Sequence, residues 1–268
     1  MGSQLITDIA ALWAKYGSVY LGGVRNTLLL SIIATALGCL IGFLCGILQT
    51  IPCAPGDNFL KRFVLKLVRL LIRVYVEVFR GTPMILQSVF IYYGVPYFFG
   101  VAFGSIWTVS IVVVSINTGA YMAESVRGGI MSVDPGQTEG AKAIGMTHWQ
   151  TMTTVVLPQA IRNILPSVGN EFIVNIKDSS VLNVISVSEL FFQAKSAAGA
   201  YYRYFEVYFI IACIYLVLTL SVSRILAWVE RKMDGPDNYV IHGSQSDSRA
   251  EIVVSVENEK EATKSWKA

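Results

Sequence analysis

The chain has 268 residues, 54% of them hydrophobic and 15% charged, with a formal net charge of +3. A mean hydropathy of +0.55 is too apolar for a soluble domain of ordinary composition and points to an integral membrane protein with several spans. No basic run interleaved with aromatics suggests nucleic acid, and Cys39, Cys45, Cys53 and Cys213 form no CxxC pair. They read as membrane thiols rather than a disulfide or a metal site. His148 and His242 are far apart in the sequence, so no metal ligand set is expected.

Residues 1–23 carry Leu5, Ile9, Leu12, Trp13 and Tyr16 at helical spacing, which predicts an amphipathic segment at the membrane surface. The first strongly apolar run starts near Thr27 and is long enough to span, so a retained helix is expected rather than a cleaved leader. A first span is predicted from Val24 to Leu48. Its Gly38, Gly42 and Gly46 form a ridge that lets another helix approach closely.

Lys61, Arg62, Lys66, Arg69 and Arg73 crowd the next segment, which the positive-inside rule assigns to the cytoplasm. The N-terminus is then outside. A second span is predicted from Val74 to Phe99 and a third from Ile106 to Arg127. The fourth region, Ile161 to Ile176, is interrupted by polar residues, and Val181 to Phe192 beyond it is too short to cross. It reads as a re-entrant half-helix behind a broken fourth span. A fifth span, Phe205 to Trp228, meets Arg231 and Lys232, which puts the C-terminus inside. The expected architecture is all-α and polytopic, with five transmembrane helices plus the half-helix. Residues 24–232 form the membrane domain, and 233–268 form a polar tail.

Between the third and fourth spans, within 132–160, lies a block that is not lipid-like. Asp134 can N-cap a helix, Pro135 suits its first position, and Gln137 can complete a capping box. The helix carries Gly140, Ala141, Ala143 and Gly145. Glycine lowers helix propensity, so close approach of another surface is the expected reason for it. A second short helix, "THWQTMTTVVL", is expected to end at Pro158.

Within "EGAKAIGMTHWQTMTTVVLP", Glu139, Gly140, Ala141, Gly145, Val155, Leu157 and Pro158 fall at the spacing Glu-Ala-Ala, three residues, Gly, nine residues, Ile, one residue, Leu-Pro. Gly140 stands where Ala is usual and Val155 where Ile is usual. The block resembles the coupling loop of type I ABC importer permeases. "RGTPMILQSVFIYYGVP", "NTGAYMAESVRGGI" and "NEFIVNIKDSSVL" resemble the polar amino acid branch, the histidine/glutamine/arginine-type membrane subunits. The resemblance implies a permease of the bacterial plasma (inner) membrane whose two short helices dock on a cytoplasmic ATPase. It also implies two ATPase copies, a second permease (self or sister chain) and an external solute-binding protein. The chain has no GxxxxGK[ST] loop, so ATP and Mg are expected on the partner ATPase, with no cofactor and no catalysis in this chain.

Two polar rows lie inside the predicted spans: Asn117, Tyr121 and Glu124 on the third, and Glu171, Asn175 and Asp178 on the fourth, each at i, i+4, i+7. A carboxylate facing lipid costs on the order of 3 kcal/mol or more, so these faces should meet a cavity or a partner. In one reading they hold an amino acid: carboxylates and Asn take the ammonium, while Ser179, Ser180 and the free amides of the half-helix take the carboxylate. In the other, Glu124 pairs with Arg127 or a basic loop residue, and Glu171 and Asp178 pair with Arg162 or Lys177. The alternative functional class is an ATPase-independent channel or ion-coupled secondary carrier. Inverted repeats would favour it, and none is visible.

Overall fold

A computed structural model of the protein describes residues 2–53, 56, 58–101 and 103–233. The predicted polar tail lies, after Met233, outside the described residues. The chain divides into one unit, Met1–Ala227, and a second, Trp228–Ala268. The packing below belongs to the first.

The N-terminal segment and the first span are a single helix, α1 (Gly2–Thr50). The boundary expected at residue 23 is therefore not a helix break. A Cβ on Gly23 would lie 2.8 Å from Leu190 Cα, so this glycine serves a close helix crossing rather than a turn. α2 (Phe59–Gly81) follows and stops at Thr82, which is extended because Pro83 disfavours helical backbone before it. α3 (Met84–Phe99) contains a π-helical turn over Phe90–Gly94 and ends at Gly100, whose φ of 65° suits glycine. The predicted second span is thus two helices joined at Thr82–Pro83, and the basic segment before it is helical as well.

α4 (Ile106–Met131) starts at Ser105, whose hydroxyl accepts from the Trp107 amide at 3.2 Å. Then come α5 (Pro135–Ala143), the single turn α6 (His148–Gln150), a π-helical stretch Thr151–Val156, and α7 (Leu157–Asp178). α7 is continuous through Pro166, so the fourth span is not broken where its polar residues suggested. The expected half-helix over Val181–Phe192 does not form as one element. A 3-10 turn covers Ser179–Ile185, Ser186 turns the chain at φ 64°, and α8 (Leu190–Tyr201) begins only after Glu189. α9 (Tyr204–Met233) closes the described chain.

Among the described residues three stretches are long and apolar enough to cross a membrane: Ile6–Thr50, Ile106–Met131 and Tyr204–Met233. α1 and α4 run parallel in the most extensive contact of the fold. The glycine ridge makes it possible. A Cβ on Gly38, Gly42 or Gly46 would lie 2.6 Å from Thr118, 2.3 Å from Met122 and 2.6 Å from Val126 respectively. Three apolar clusters follow one another along α1. Leu12 and Tyr20 pack with α8 and α9. Leu30 and Ala34 pack with Val113 and the 3-10 turn. Met122 and Val126 pack with Val156, Ala160 and Ile164. On the outside, Leu216, Val217 and Leu220 of α9 are exposed, as suits a surface whose solvent is lipid. All four cysteines are free.

Candidate functional site

The block between α4 and α7 is a helix pair with well-defined ends. Asp134 caps α5 by accepting from the Gly136 amide at 2.7 Å, with Pro135 at the first helical position. Gln137 does not complete the expected capping box. That motif forms instead on α6, where Thr147 Oγ1 accepts from the Gln150 amide at 3.3 Å and Gln150 Oε1 from the Thr147 amide at 2.8 Å.

α5 ends in a Schellman arrangement. The Met146 amide donates to Ala141 O at 3.1 Å and the Gly145 amide to Lys142 O at 2.9 Å. Gly145 has φ 87°, which is why glycine stands there. A Cβ on Gly140 or Gly145 would meet nothing within 4 Å, so neither answers a close contact inside this chain. Pro158 does not end the second helix. The Leu157 amide bonds five residues back to Met152 O, so the register shifts at the proline and α7 continues.

Ala141 is buried, and Leu157 is half-buried against the cluster around Val156, while Glu139, Gly140, Gly145 and Pro158 are exposed. So are two large apolar side chains, Ile144 at 80% and Trp149 at 71%. The helix pair thus leaves two large apolar side chains open. Neither Ile144 nor Trp149 was singled out from the sequence, since a lone Ile or Trp between helices carries no periodic signal.

The first polar row turns to the α2–α3 junction. Asn117 Nδ2 donates to Gln87 Oε1 at 3.0 Å and to Phe79 O at 3.3 Å. Gln87 Nε2 in turn donates to Phe79 O, Thr82 O and Thr82 Oγ1 at 2.8–2.9 Å. The Arg80 guanidinium lies 5.1 Å from the Tyr121 ring centre and ion-pairs with Glu124. Glu124 therefore pairs with Arg80, not with Arg127, whose Nη1 faces Met131 Sδ at 3.3 Å. The "RGTPMILQ" stretch is thus a helix break whose loose carbonyls are taken by Gln87 and Asn117.

The second row separates. Asn175 is buried, at 3% exposure, and its amide group ties three helices together. Its Nδ2 donates to Thr35 Oγ1 at 2.8 Å and to Thr118 Oγ1 at 2.9 Å. That occupies Asn175 as an interhelical link and withdraws it from a cavity. Ser179 is buried and donates to Ile176 O at 2.9 Å, and Ser180 is half-buried with its carbonyl accepting from Asn183 Nδ2 at 2.6 Å. Glu171 and Asp178 are half-buried, and among the described residues neither carboxylate makes a hydrogen bond or ion pair.

The half-helix amides are not free either. Glu189, fully buried, accepts from the Phe191 amide at 2.7 Å, the Phe192 amide at 2.6 Å and Tyr215 Oη at 3.1 Å. Thr27 Oγ1 takes the Leu190 amide at 3.2 Å. Sequence reasoning placed Glu189 inside an apolar run. An acidic residue just before "LFFQA" was the available sign of an N-cap.

Comparison with known proteins agrees with this anatomy. Residues 38–235 match the family described as "Binding-protein-dependent transport system inner membrane component". The chain is 35% identical over 226 residues to the glutamine transport system permease protein GlnP of Escherichia coli (strain K12), covering 84% of this chain and 97% of that one. It is 36% identical over 211 residues to the putative glutamine transport system permease protein GlnP of Rickettsia felis, covering 79% and 91%. Among solved structures, one titled as an amino acid ABC transporter with histidines aligns with a TM-score of 0.72 at 40% identity, covering 82% of this chain and 96% of that one. The MetNI methionine ABC transporter, in an inward-facing conformation, shares the fold at a TM-score of 0.67 and 20% identity. With three quarters of its length inside the family match and that fold around it, this chain belongs to the inner membrane components of binding-protein-dependent transport systems, the permease subunits of ABC importers.

Proposed function

We propose that this permease carries a polar amino acid and that the α5–α6 block transmits the work of a separate cytoplasmic ATPase, two copies per complex. The observation that carries the coupling half is the exposure of Gly140, Ile144 and Trp149 on the α5–α6 block. An apolar face beside a membrane protein's charged end needs a protein to cover it. The amino acid half is supported by what the relatives at 35–40% identity are named for. It is also supported by Glu171 and Asp178, two carboxylates on a membrane helix with no partner of their own. Either suits an ammonium group.

In this reading the chain performs no chemistry itself: ATP and Mg sit on the ATPase. A second permease and an external solute-binding protein complete the importer. α1, α2–α3, α4, α7 and α9 supply the five spans, with the N-terminus outside and the C-terminus cytoplasmic.

The test is reconstitution of the permease with its co-expressed ATPase and binding protein in proteoliposomes, screened across the amino acids. Substrate-stimulated ATP hydrolysis is expected. Uptake without any ATPase present would favour an independent carrier. Orientation is read separately. A cysteine replacing Ser105 should react with an impermeant thiol reagent from outside and one replacing Thr138 should not.

A further inference from the structure

The largest concentration of cationic side chains in the described chain lies on α2, and of these only Arg80 enters the sites above. Arg62, Lys66, Arg69, Arg73 and Arg80 recur at helical spacing down one face of α2. The lower part of this stripe, from Arg69 to Arg80, faces Gln49 in the last turn of α1 and Glu124 and Arg127 near the end of α4. Between them is a cavity of about 430 Å³. It lies at the end of the helix bundle that bears the α5–α6 block.

The charges in this cavity do not balance. Four guanidiniums, of Arg69, Arg73, Arg80 and Arg127, face two carboxylates, Glu77 and Glu124. Glu124 is held by Arg80. Arg73 makes no hydrogen bond or ion pair among the described residues, and Arg127 reaches only the Met131 sulfur. Arg69 Nη2 donates to Ile51 O, yet its Nε is buried with no hydrogen-bond partner. A buried guanidinium N–H left without an acceptor is costly and marks a place where an acceptor belongs. The ligand is therefore an anion rich in acceptor oxygens. Forked donors fit phosphate oxygens bidentately, which a cluster of lysines would not do.

The flanks of the same helix identify the source of the phosphate. Leu70, Leu71, Val74 and Val78 alternate with the arginines and are all about half exposed. A ligand with an anionic head and apolar tails satisfies both faces of α2 at once. We propose that the cavity between α2 and α4 binds the phosphodiester headgroup of an anionic membrane lipid, with its acyl chains along the apolar flank of α2. This requires only that the chain is a membrane component, so it stands apart from the amino acid and coupling readings.

The test is native mass spectrometry of the full-length chain, with whatever partner subunits co-purify. It is released from mild detergent after incubation with equal amounts of phosphatidylglycerol and phosphatidylcholine of the same chain length. One phosphatidylglycerol should stay bound in preference to phosphatidylcholine. Arg73→Gln combined with Arg127→Gln removes two guanidiniums that make no ion pair in the fold, Arg127 touching only the Met131 sulfur, and should lower that occupancy about tenfold or more. Arg62→Gln with Lys66→Gln, on the same stripe but outside the cavity, should leave it unchanged. Millimolar inorganic phosphate should not displace the lipid. Equal retention of the two lipids, or unchanged occupancy in the Arg73/Arg127 variant of intact fold, would overturn the proposal. So would displacement by free phosphate, since the ion alone would then be the ligand.

Discussion

Arg80, in the last turn of α2, and Glu124, two turns from the end of α4, form an ion pair across the two helices, with Tyr121 beneath the guanidinium. It fastens the C-terminal end of the Asn117–Tyr121–Glu124 row to the helix break at Thr82–Pro83. Because the side chains are 39% and 46% exposed, water screens much of the attraction. A double-mutant cycle with Arg80→Gln and Glu124→Gln, followed by denaturation in mixed micelles, should give a coupling energy of about 0.2–1 kcal/mol. A value well above about 2 kcal/mol would mean that the pair is sealed from solvent.

Asn175 behaves oppositely, because no solvent reaches it. Asn175→Leu leaves the Thr35 and Thr118 hydroxyls without their shared partner and should destabilise the fold by about 1–3 kcal/mol. Adding Thr35→Val and Thr118→Val to Asn175→Leu should recover part of the loss, since the orphaned hydroxyls are then gone. A triple variant less stable than the single one would refute the link described for these three residues.

Gly42 has no room for any side chain. The Met122 Cβ and the Met122 backbone carbon would lie 2.3 and 2.8 Å from a new Cβ, and the backbone cannot step aside. Gly42→Leu should lower stability by about 1–3 kcal/mol or block assembly of the bundle. Gly22→Leu, where a Cβ meets nothing, is the control and should melt like the parent. Equal melting temperatures for the two variants would show that α1 and α4 do not pack along this ridge.

The turn at Gly145 separates local strain from docking. Gly145→Val forces a β-branched residue to φ 87° and should cost about 1–3 kcal/mol locally, with Gly145→Asn milder. Trp149→Ala removes only an exposed ring and should leave the permease's own melting unchanged. If the α5–α6 face docks on an ATPase, Trp149→Ala should still reduce ATPase co-purification and uptake. Normal recovery of the complex with this variant would exclude that face from the contact.

How much of this was legible in the sequence depended on whether a feature was local and periodic. The Gly38–Gly42–Gly46 ridge was, because a small-residue stripe in a membrane helix favours close approach of another helix, and the helix that approaches is α4. The Asp134 cap was, since it rests on backbone chemistry within two residues, whereas Gly145, expected for a close approach, is required by its φ of 87°. The partner of Glu124 was not. Arg80 is 44 positions away, and only the packing of α2 on α4 brings it near. Pro158 misled because proline usually ends a helix, whereas here the π-helical turn before it absorbs the missing amide. The stretch from Ser179 to Glu189 misled for another reason. Leu182, Ile185 and Val187 are buried in a tertiary cluster, so apolar content there records burial rather than helix.

α1 has a consequence of a mechanical kind. Its 49 residues extend about 74 Å at 1.5 Å per residue, more than twice the roughly 30 Å thickness of a bilayer's hydrocarbon core. Around Gly42 it is pressed on α4 without a side chain between them, while Leu12 and Tyr20 near its other end are gripped by α8 and α9. Held at both places, α1 is a splint that ties α4 to α8 and α9, so none of them can leave it without opening one of these contacts.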